Sequence, residues 1–126
     1  MTPVGALQPR VSVFPRVLAA SGAVLAAAAV ALSAYAAHAV DPAAQARLQS
    51  AALFAFGHGI ALAALAPHTT HRLGRLALAG LLLGTLLFSG SLVAAHAWAT
   101  PTVVAPFGGG LMILAWLTWA VARLGR

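Results

Sequence analysis

The stretch Leu76–Ala97, LALAGLLLGTLLFSGSLVAAHA, carries no formal charge from end to end. A helix needs about 20 consecutive apolar residues to cross a bilayer, so this stretch is long enough to span one. The chain around it has the same character, because 62% of its 126 residues are hydrophobic and only 6% are charged. Soluble domains carry about a quarter charged residues. The composition therefore indicates an integral membrane protein and argues against a soluble enzyme.

Three further apolar segments flank this stretch and complete a predicted all-α bundle of four transmembrane helices. The expected spans are residues 17–40, 48–66, 76–97 and 107–122. They are joined by short connections, which makes residues 17–126 one transmembrane domain. Residues 1–16 contain three Pro and two Arg and no long apolar run, so we expect a flexible cytoplasmic segment there.

Proline and one acid mark the ends of the predicted spans. Pro42 disfavours helical geometry at Asp41, and the Asp41 carboxylate can cap a helix that follows it. Pro67 ends the second span. A secretory signal peptide is the alternative for the first segment, with cleavage after an Ala-x-Ala motif between residues 34 and 39. However, that apolar stretch exceeds the usual 7 to 15 residues of a signal core.

Arginine sets the predicted orientation, since all seven cations of the chain are Arg. The amino-terminal segment, the middle connection and the carboxy-terminal end carry two each, namely Arg10 and Arg16, Arg72 and Arg75, and Arg123 and Arg126. The first connection carries only Arg47 and the third carries none. By the positive-inside rule, both termini and the middle connection are expected in the cytoplasm.

Small residues are expected to mediate helix packing, because helices in lipid associate through close contact rather than through hydrophobic burial. The glycines expected at packing contacts are Gly57, Gly80, Gly84, Gly90, Gly108 and Gly109. Further faces of small residues include Gly22 with Ala26, and Ala55 with Gly59 and Ala63. These faces can pack inside the bundle, or they can join copies of the chain into a homo-oligomer.

Histidine is the only ionisable residue type inside the predicted spans, which makes it a candidate for function. His58 is close to the membrane midplane, whereas His38 and His96 lie near the outer ends of their spans. His58 could relay protons, bind a metal or contact a quinone ring. The structural alternative is a neutral imidazole that hydrogen-bonds a Ser, a Thr or a backbone carbonyl on a neighbouring helix.

Catalytic, metal and nucleic-acid sites find little support in the sequence. There is no Cys for a thiolate, and the single acid, Asp41, cannot form a carboxylate pair. His58 should lie about 10 Å deeper than His38 and His96, so no three-histidine metal site is expected. The arginines are not clustered on a polar face, as nucleic-acid binding would need. We expect no enzyme activity, no metal and no cofactor.

Four stretches resemble the YgdD-like family of small bacterial inner-membrane proteins, a domain-of-unknown-function family. They are Ser33–Val40 (SAYAAHAV), Phe56–Leu62 (FGHGIAL), Gly84–Leu92 (GTLLFSGSL), and Ala105–Gly109 (APFGG) with Ala115–Trp116. The run LFSGSL is similar to the most recognisable run of that family. Val93 and Ala105 depart from the usual Tyr and Thr of the family. The resemblance implies four helices in the bacterial inner membrane and no established activity.

The resembling stretches place polar residues together in the outer half of the bundle. We therefore expect a small polar pocket on the periplasmic side, formed by His38, Ser89, Ser91 and His96 with His58 at its floor. Two functions remain open. The chain is expected to be a structural or accessory component of the bilayer that binds another membrane protein or itself. The alternative is a minimal transporter or channel for a small solute or a proton, although the inner half offers few polar side chains for a pathway.

Overall fold

A computed structural model of the chain describes residues 12–38 and 40–125. Four helices account for most of them: α1 (Val13–His38), α2 (Pro42–Leu65), α3 (Arg72–Trp98) and α4 (Ala105–Leu124), with a short 3-10 turn at Ala66–His68. Each of the four is long and apolar enough to cross a membrane. The predicted all-α fold with four membrane-spanning helices is confirmed.

The first helix begins earlier than the expected span. α1 starts at Val13, so the last residues of the segment expected to be flexible are helical. Pro15 lies in its first turn, where a proline is tolerated because that N–H has no partner inside a helix. The rest of that segment, including Arg10, lies outside the described residues, as do Ala39 and Arg126.

The second helix also begins earlier, because its start is capped. Asp41 is the N-cap residue, and its Oδ1 accepts hydrogen bonds from the N–H groups of Ala43 (3.0 Å) and Ala44 (3.1 Å). The predicted cap is thus confirmed. Since the helix starts at Pro42, Arg47 is an exposed residue of α2 and not part of the connection, which corrects the sequence-based expectation.

Arginines of the expected middle connection are likewise part of a helix. α3 starts at Arg72, and Nδ1 of the preceding His71 accepts a hydrogen bond from the N–H of Leu73 at 3.2 Å. Arg75 lies in the first turn, and its Nε donates to the carbonyl oxygen of Thr69 at 3.1 Å. The bond to His71 satisfies a backbone N–H that lacks a partner within the helix, and the bond from Arg75 ties α3 to the connection before it.

The four helices run alternately up and down, so the bundle has two chemically distinct ends. The arginine end holds the start of α1, the end of α2, the start of α3 and the end of α4. Its described arginines are Arg16, Arg72, Arg75 and Arg123. The opposite end, here called the Asp41 end, holds Val40 and Asp41 before α2 and the connection at residues 99–104.

The helices pack as two hairpins, α1 with α2 and α3 with α4, which meet chiefly through α2 and α3. Each hairpin has a point where two glycines lie against each other. A Cβ atom built on Gly84 would lie 2.9 Å from the carbonyl oxygen of Gly108, and one built on Gly108 would lie 2.8 Å from that of Gly84. Gly22 and Gly59 make the corresponding contact between α1 and α2.

The other expected packing glycines divide into two groups. Cβ atoms at Gly80 and Gly109 would make ordinary van der Waals contacts, with nearest atoms 3.7 and 3.9 Å away. Cβ atoms at Gly57 and Gly90 would meet nothing within 4 Å. Gly57 and Gly90 therefore do not mediate packing among the described helices, which corrects the expectation. They face outward because the buried faces of α2 and α3 lie on other sides of these helices.

The core of the bundle is apolar and lies toward the arginine end. It is formed by the buried residues Leu18, Leu62, Ala66, Leu78, Leu81, Met112 and Ala115. All four helices contribute to this cluster. Leu62, Leu78 and Leu81 are almost completely buried. This packing holds the two hairpins together and leaves the polar contacts to other parts of the bundle.

Candidate functional site

A paired amide and hydroxyl join α1 and α2 near the Asp41 end. Ser33 Oγ donates to Gln49 Oε1 at 2.8 Å, and Gln49 Nε2 donates to the carbonyl oxygen of Ser33 at 3.1 Å. The two residues are partly buried. An amide at membrane depth needs such partners, because lipid tails offer none. This pair thus links the first hairpin by two hydrogen bonds.

An aromatic and imidazole pair joins α1 and α3 at the same end. Tyr35 Oη and His96 Nε2 are 3.2 Å apart, and the rings meet edge to face with centroids 5.8 Å apart. Asp41 lies nearby at the N-cap of α2. The N–H of Ala44, and less strongly that of Ala43, lowers the pKa of the Asp41 carboxyl below its ordinary value, and a cationic His96 lowers it slightly further.

His58 lies in α2 between two aromatic rings. Its Nδ1 is 2.7 Å from the carbonyl oxygen of Phe54, and a carbonyl can only accept, so Nδ1 carries the proton and donates. The imidazole stacks on Phe54, with ring planes 9° apart and centroids 5.8 Å apart. The Trp116 ring of α4 lies 6.1 Å from it. The structural alternative expected a partner on a neighbouring helix. The carbonyl that His58 contacts belongs instead to its own helix, α2.

The aromatic contacts continue from His58 toward the arginine end. Trp116 and Trp119 meet edge to face with centroids 6.3 Å apart, and the Arg123 guanidinium lies 5.5 Å from the centroid of the Trp119 ring. The indole N–H of Trp119 is enclosed and makes no hydrogen bond to the described residues. On the other side of His58, Phe54 contacts Phe88 of α3 with centroids 4.7 Å apart.

Hydroxyl groups inside the bundle bond to nearby carbonyls. Ser89 is buried, and its Oγ donates across the α2–α3 interface to the carbonyl oxygen of Ala51 at 2.8 Å. Thr85 is completely buried, and its Oγ1 donates to the carbonyl oxygen of Leu81 at 2.7 Å within its own helix. Both hydroxyls are thus satisfied by backbone groups and are not directed at a common ligand.

The five residues of the expected pocket do not form one cluster. Ser89 bonds Ala51, His96 contacts Tyr35, and His58 contacts Phe54 and Trp116. His38 is exposed and Ser91 is half-buried. Within residues 12–38 and 40–125, no hydrogen bond or ring contact joins any two of the five. The same residues include no group of three or more His, Cys, Asp or Glu that could hold a metal.

An open groove of about 500 Å³ lies instead between α1 and α2. Its lining is mostly small or apolar, and its polar side chains are those of the Ser33–Gln49 pair. The lining residues are Ala29, Val30, Ser33, Ala34, Ala37, Gln49, Ala52, Leu53 and Phe56. Because Ser33 and Gln49 already bond each other, the groove presents a largely apolar surface.

Sequence reasoning missed Gln49 and Tyr35 as partners. Gln49 is the only Gln or Asn within the predicted spans, and such a residue at membrane depth indicates an interhelical hydrogen bond. Tyr35 is a single aromatic residue near the end of the first span, and no local pattern marks it as a partner of a residue on another helix. Its pairing with His96 depends on how α1 is placed beside α3, which no local pattern specifies.

Comparison with known proteins places this architecture in a family. Residues 32–109, more than half of the chain, match a family model described as Protein of unknown function (DUF423). The match begins in α1, includes all of α2 and α3 and ends in the first turns of α4, and it agrees with the resemblance seen in the sequence. No curated protein and no solved structure matches the chain. With its four membrane-spanning helices, the chain is a multi-pass membrane protein that belongs to the DUF423 family.

Proposed function

We propose that the protein is a structural or accessory component of the bacterial inner membrane that binds other membrane proteins or itself. The observation that carries this proposal is the closed apolar core at the arginine end, to which all four helices contribute. A pathway for a solute or a proton through one chain would have to pass this cluster. Channels and transporters line their pathways with polar groups or water.

The polar groups of the bundle support the same proposal. The hydroxyl of Thr85, near the core, bonds the carbonyl of Leu81 within its own helix, and its sulfur contact is with Met112 Sδ at 3.5 Å. The Ser33–Gln49 and Tyr35–His96 pairs lie toward the Asp41 end. A minimal transporter remains the alternative, and His58 would be its central residue.

Outward-facing small residues favour a role in binding partners. Gly57 on α2 and Gly90 on α3 are exposed, and no neighbouring atom lies near the position of a Cβ. Small residues allow the backbone of another helix to approach closely, which is the main source of helix association in lipid. With one acid and no Cys in the chain, we assign the protein no catalytic activity.

The orientation is part of the proposal. Four of the five described arginines lie at one end of the bundle, whereas Arg47 and the only acid of the chain, Asp41, lie toward the other. The positive-inside rule then favours the arginine end, with both termini, in the cytoplasm.

Because the chain has no Cys, single cysteines can test this orientation directly. His68→Cys lies at the arginine end and Thr102→Cys at the Asp41 end, and both residues are exposed. In intact spheroplasts, a membrane-impermeant maleimide should label the variant T102C and spare H68C until the membrane is permeabilised. Labelling of H68C alone would reverse the orientation.

The partner role is tested by affinity purification in mild detergent, followed by identification of co-purifying proteins and measurement of the oligomeric state. A membrane partner in fixed proportion, or a defined homo-oligomer, is expected. The same preparation is reconstituted in liposomes to measure proton and solute flux. A lone monomer that conducts, and that stops conducting in the variant His58→Phe, would overturn the proposal in favour of transport.

A further inference from the structure

One face of the bundle carries an unpaired hydrogen-bond acceptor next to an unpaired donor. Because Nδ1 of His58 donates to Phe54, the Nε2 of the neutral imidazole is an acceptor. Nε2 makes no hydrogen bond among the described residues and is not enclosed. The indole N–H of Trp116 can only donate, and it too has no hydrogen-bond partner in the described part of the chain.

Both side chains are partly exposed on the outside of the bundle. Trp116 is 37% exposed and His58 is partly exposed. The backbones of α2 and α4 make at most marginal close contact, so the two side chains meet at a surface between these helices. Lipid tails can satisfy neither an imidazole lone pair nor an indole N–H, and an unsatisfied polar group in hydrocarbon is costly. This surface, formed by His58, Trp116 and the helix residues beside them, is called the His58–Trp116 face.

The depth of the two groups suits a symmetric pairing. α2 and α4 run in the same direction, and the contact between the rings places His58 and Trp116 at the same level in the bundle. A two-fold axis along the membrane normal leaves the depth of every residue unchanged. In such a dimer, residue i of one copy contacts residue j of the other and the reverse, so one donor and one acceptor per chain are enough.

We propose that the His58–Trp116 face joins two copies of this chain in a parallel, symmetric dimer. In it, Trp116 Nε1–H of each copy donates to His58 Nε2 of the other. The inference rests on the proposed function, since it names self-association as the binding that the function requires. A second copy is the occupant because it supplies at one depth both the acceptor that Trp116 lacks and the donor that His58 lacks.

The first test is cross-linking between two differently tagged copies in membranes. One copy carries Gly57→Cys, beside His58, and the other carries Ile113→Cys, one turn before Trp116. In the matched control, Gly90→Cys replaces Gly57→Cys. A Cβ atom at either glycine meets no other atom within 4 Å, so both cysteines fit the fold equally well. A short bis-maleimide should join the Gly57 and Ile113 variants and not the Gly90 and Ile113 variants. Equal cross-linking of both pairs would overturn the proposal.

The second test measures dimerisation in liposomes by energy transfer between labelled copies at several protein-to-lipid ratios. His58→Phe and Trp116→Phe keep an aromatic ring but remove the acceptor and the donor. Each should weaken the dimer about five- to ten-fold, because either change deletes both symmetric hydrogen bonds. His38→Phe and Trp98→Phe, at exposed sites of the Asp41 end, should leave dimerisation unchanged.

The double variant His58→Phe/Trp116→Phe provides the decisive comparison. If the two residues bond each other, the double variant dimerises no more weakly than either single variant. Effects that multiply would mean that the residues act separately and would overturn the proposal. A chain that stays monomeric at every density, yet co-purifies with another membrane protein, would overturn the dimer and leave the proposed function standing.

Discussion

A Cβ atom built on Gly22 of α1 would lie 2.5 Å from the carbonyl oxygen of Gly59 in α2, and one built on Gly59 would lie 2.6 Å from that of Gly22. The two backbones are therefore in direct contact at this point. Such closeness compensates for the lack of a hydrophobic driving force in lipid, because it brings many backbone atoms within the range of dispersion forces. Neither position has room for a larger residue.

Gly22→Ala should destabilise the first hairpin. The new methyl group meets backbone atoms that cannot rotate away, so the free energy of unfolding is expected to fall by about 1–3 kcal/mol. SDS-induced unfolding from mild detergent micelles, followed by circular dichroism, measures the change. Gly57→Ala on α2 is the matched control, since its Cβ meets nothing within 4 Å. It should be neutral, or stabilising by up to about 1 kcal/mol through helix propensity. Equal losses in both variants would refute the contact.

Ser33 and Gln49 should behave as a coupled pair. Gln49→Leu removes both hydrogen bonds, and Ser33→Ala removes the one between the side chains. In a double-mutant cycle of unfolding free energies, we expect a coupling of about 0.6 kcal/mol and at most about 1.7, as for other interhelical bonds in membranes. Strictly additive losses would show that the two side chains do not interact in the folded protein.

The cap of α2 should weaken in acid. The folded-state pKa of Asp41 lies below the ordinary value of 3.8, so the cap stabilises the fold fully above that pH and less as the pH falls through the folded value. Thermal unfolding in detergent at pH 6 and at pH 3 should show a loss in the wild type. Asn at position 41 can still cap the helix but does not titrate. The drop in thermal midpoint between pH 6 and pH 3 should therefore be smaller in Asp41→Asn than in the wild type. An identical acid response in D41N would contradict the assignment.

Ala99→Gly should stabilise the end of α3. Ala99 caps this helix in the left-handed region, with φ at 53°, where a Cβ costs about 1–2 kcal/mol and glycine is free of that cost. The thermal midpoint should therefore rise. Ala97→Gly, two residues earlier inside the helix, should lower it, because glycine is about 1 kcal/mol worse than alanine there. Both variants shifting downward would mean that Ala99 does not adopt this conformation.

The helices themselves could be predicted because their causes are local. Charge-free runs of sufficient length define the spans, and Asp41 with Pro42 identifies the start of α2 from two adjacent residues. The predicted spans are nevertheless too short at most ends. Hydropathy assigns charged residues to the connections between spans. Arginine is nevertheless a good helix former, so a helix can continue through it into the membrane interface when capping bonds satisfy the helix end. Arg47, Arg72 and Arg75 all lie within helices for this reason.

The candidate site could not be predicted in the same way. The sequence predicts the depth of the five expected pocket residues, but depth does not specify the direction in which a side chain leaves its helix. The five are His38, His58, Ser89, Ser91 and His96. Ser89 and Ser91 are two positions apart, so they lie on different sides of α3. Ser89 turns to the carbonyl of Ala51, and Ser91 is not in the buried set of α3.

By itself, the sequence determined the fold class and the number of spans, because hydropathy acts on each segment separately, and its arginines predict an orientation. Only the tertiary structure decided which glycines touch, that Gln49 pairs with Ser33, and that His58 and Trp116 share one outward face. Those outcomes depend on the rotation and spacing of whole helices against one another. In lipid, this rotation is set by the sum of many small contacts, which no single segment of the sequence contains.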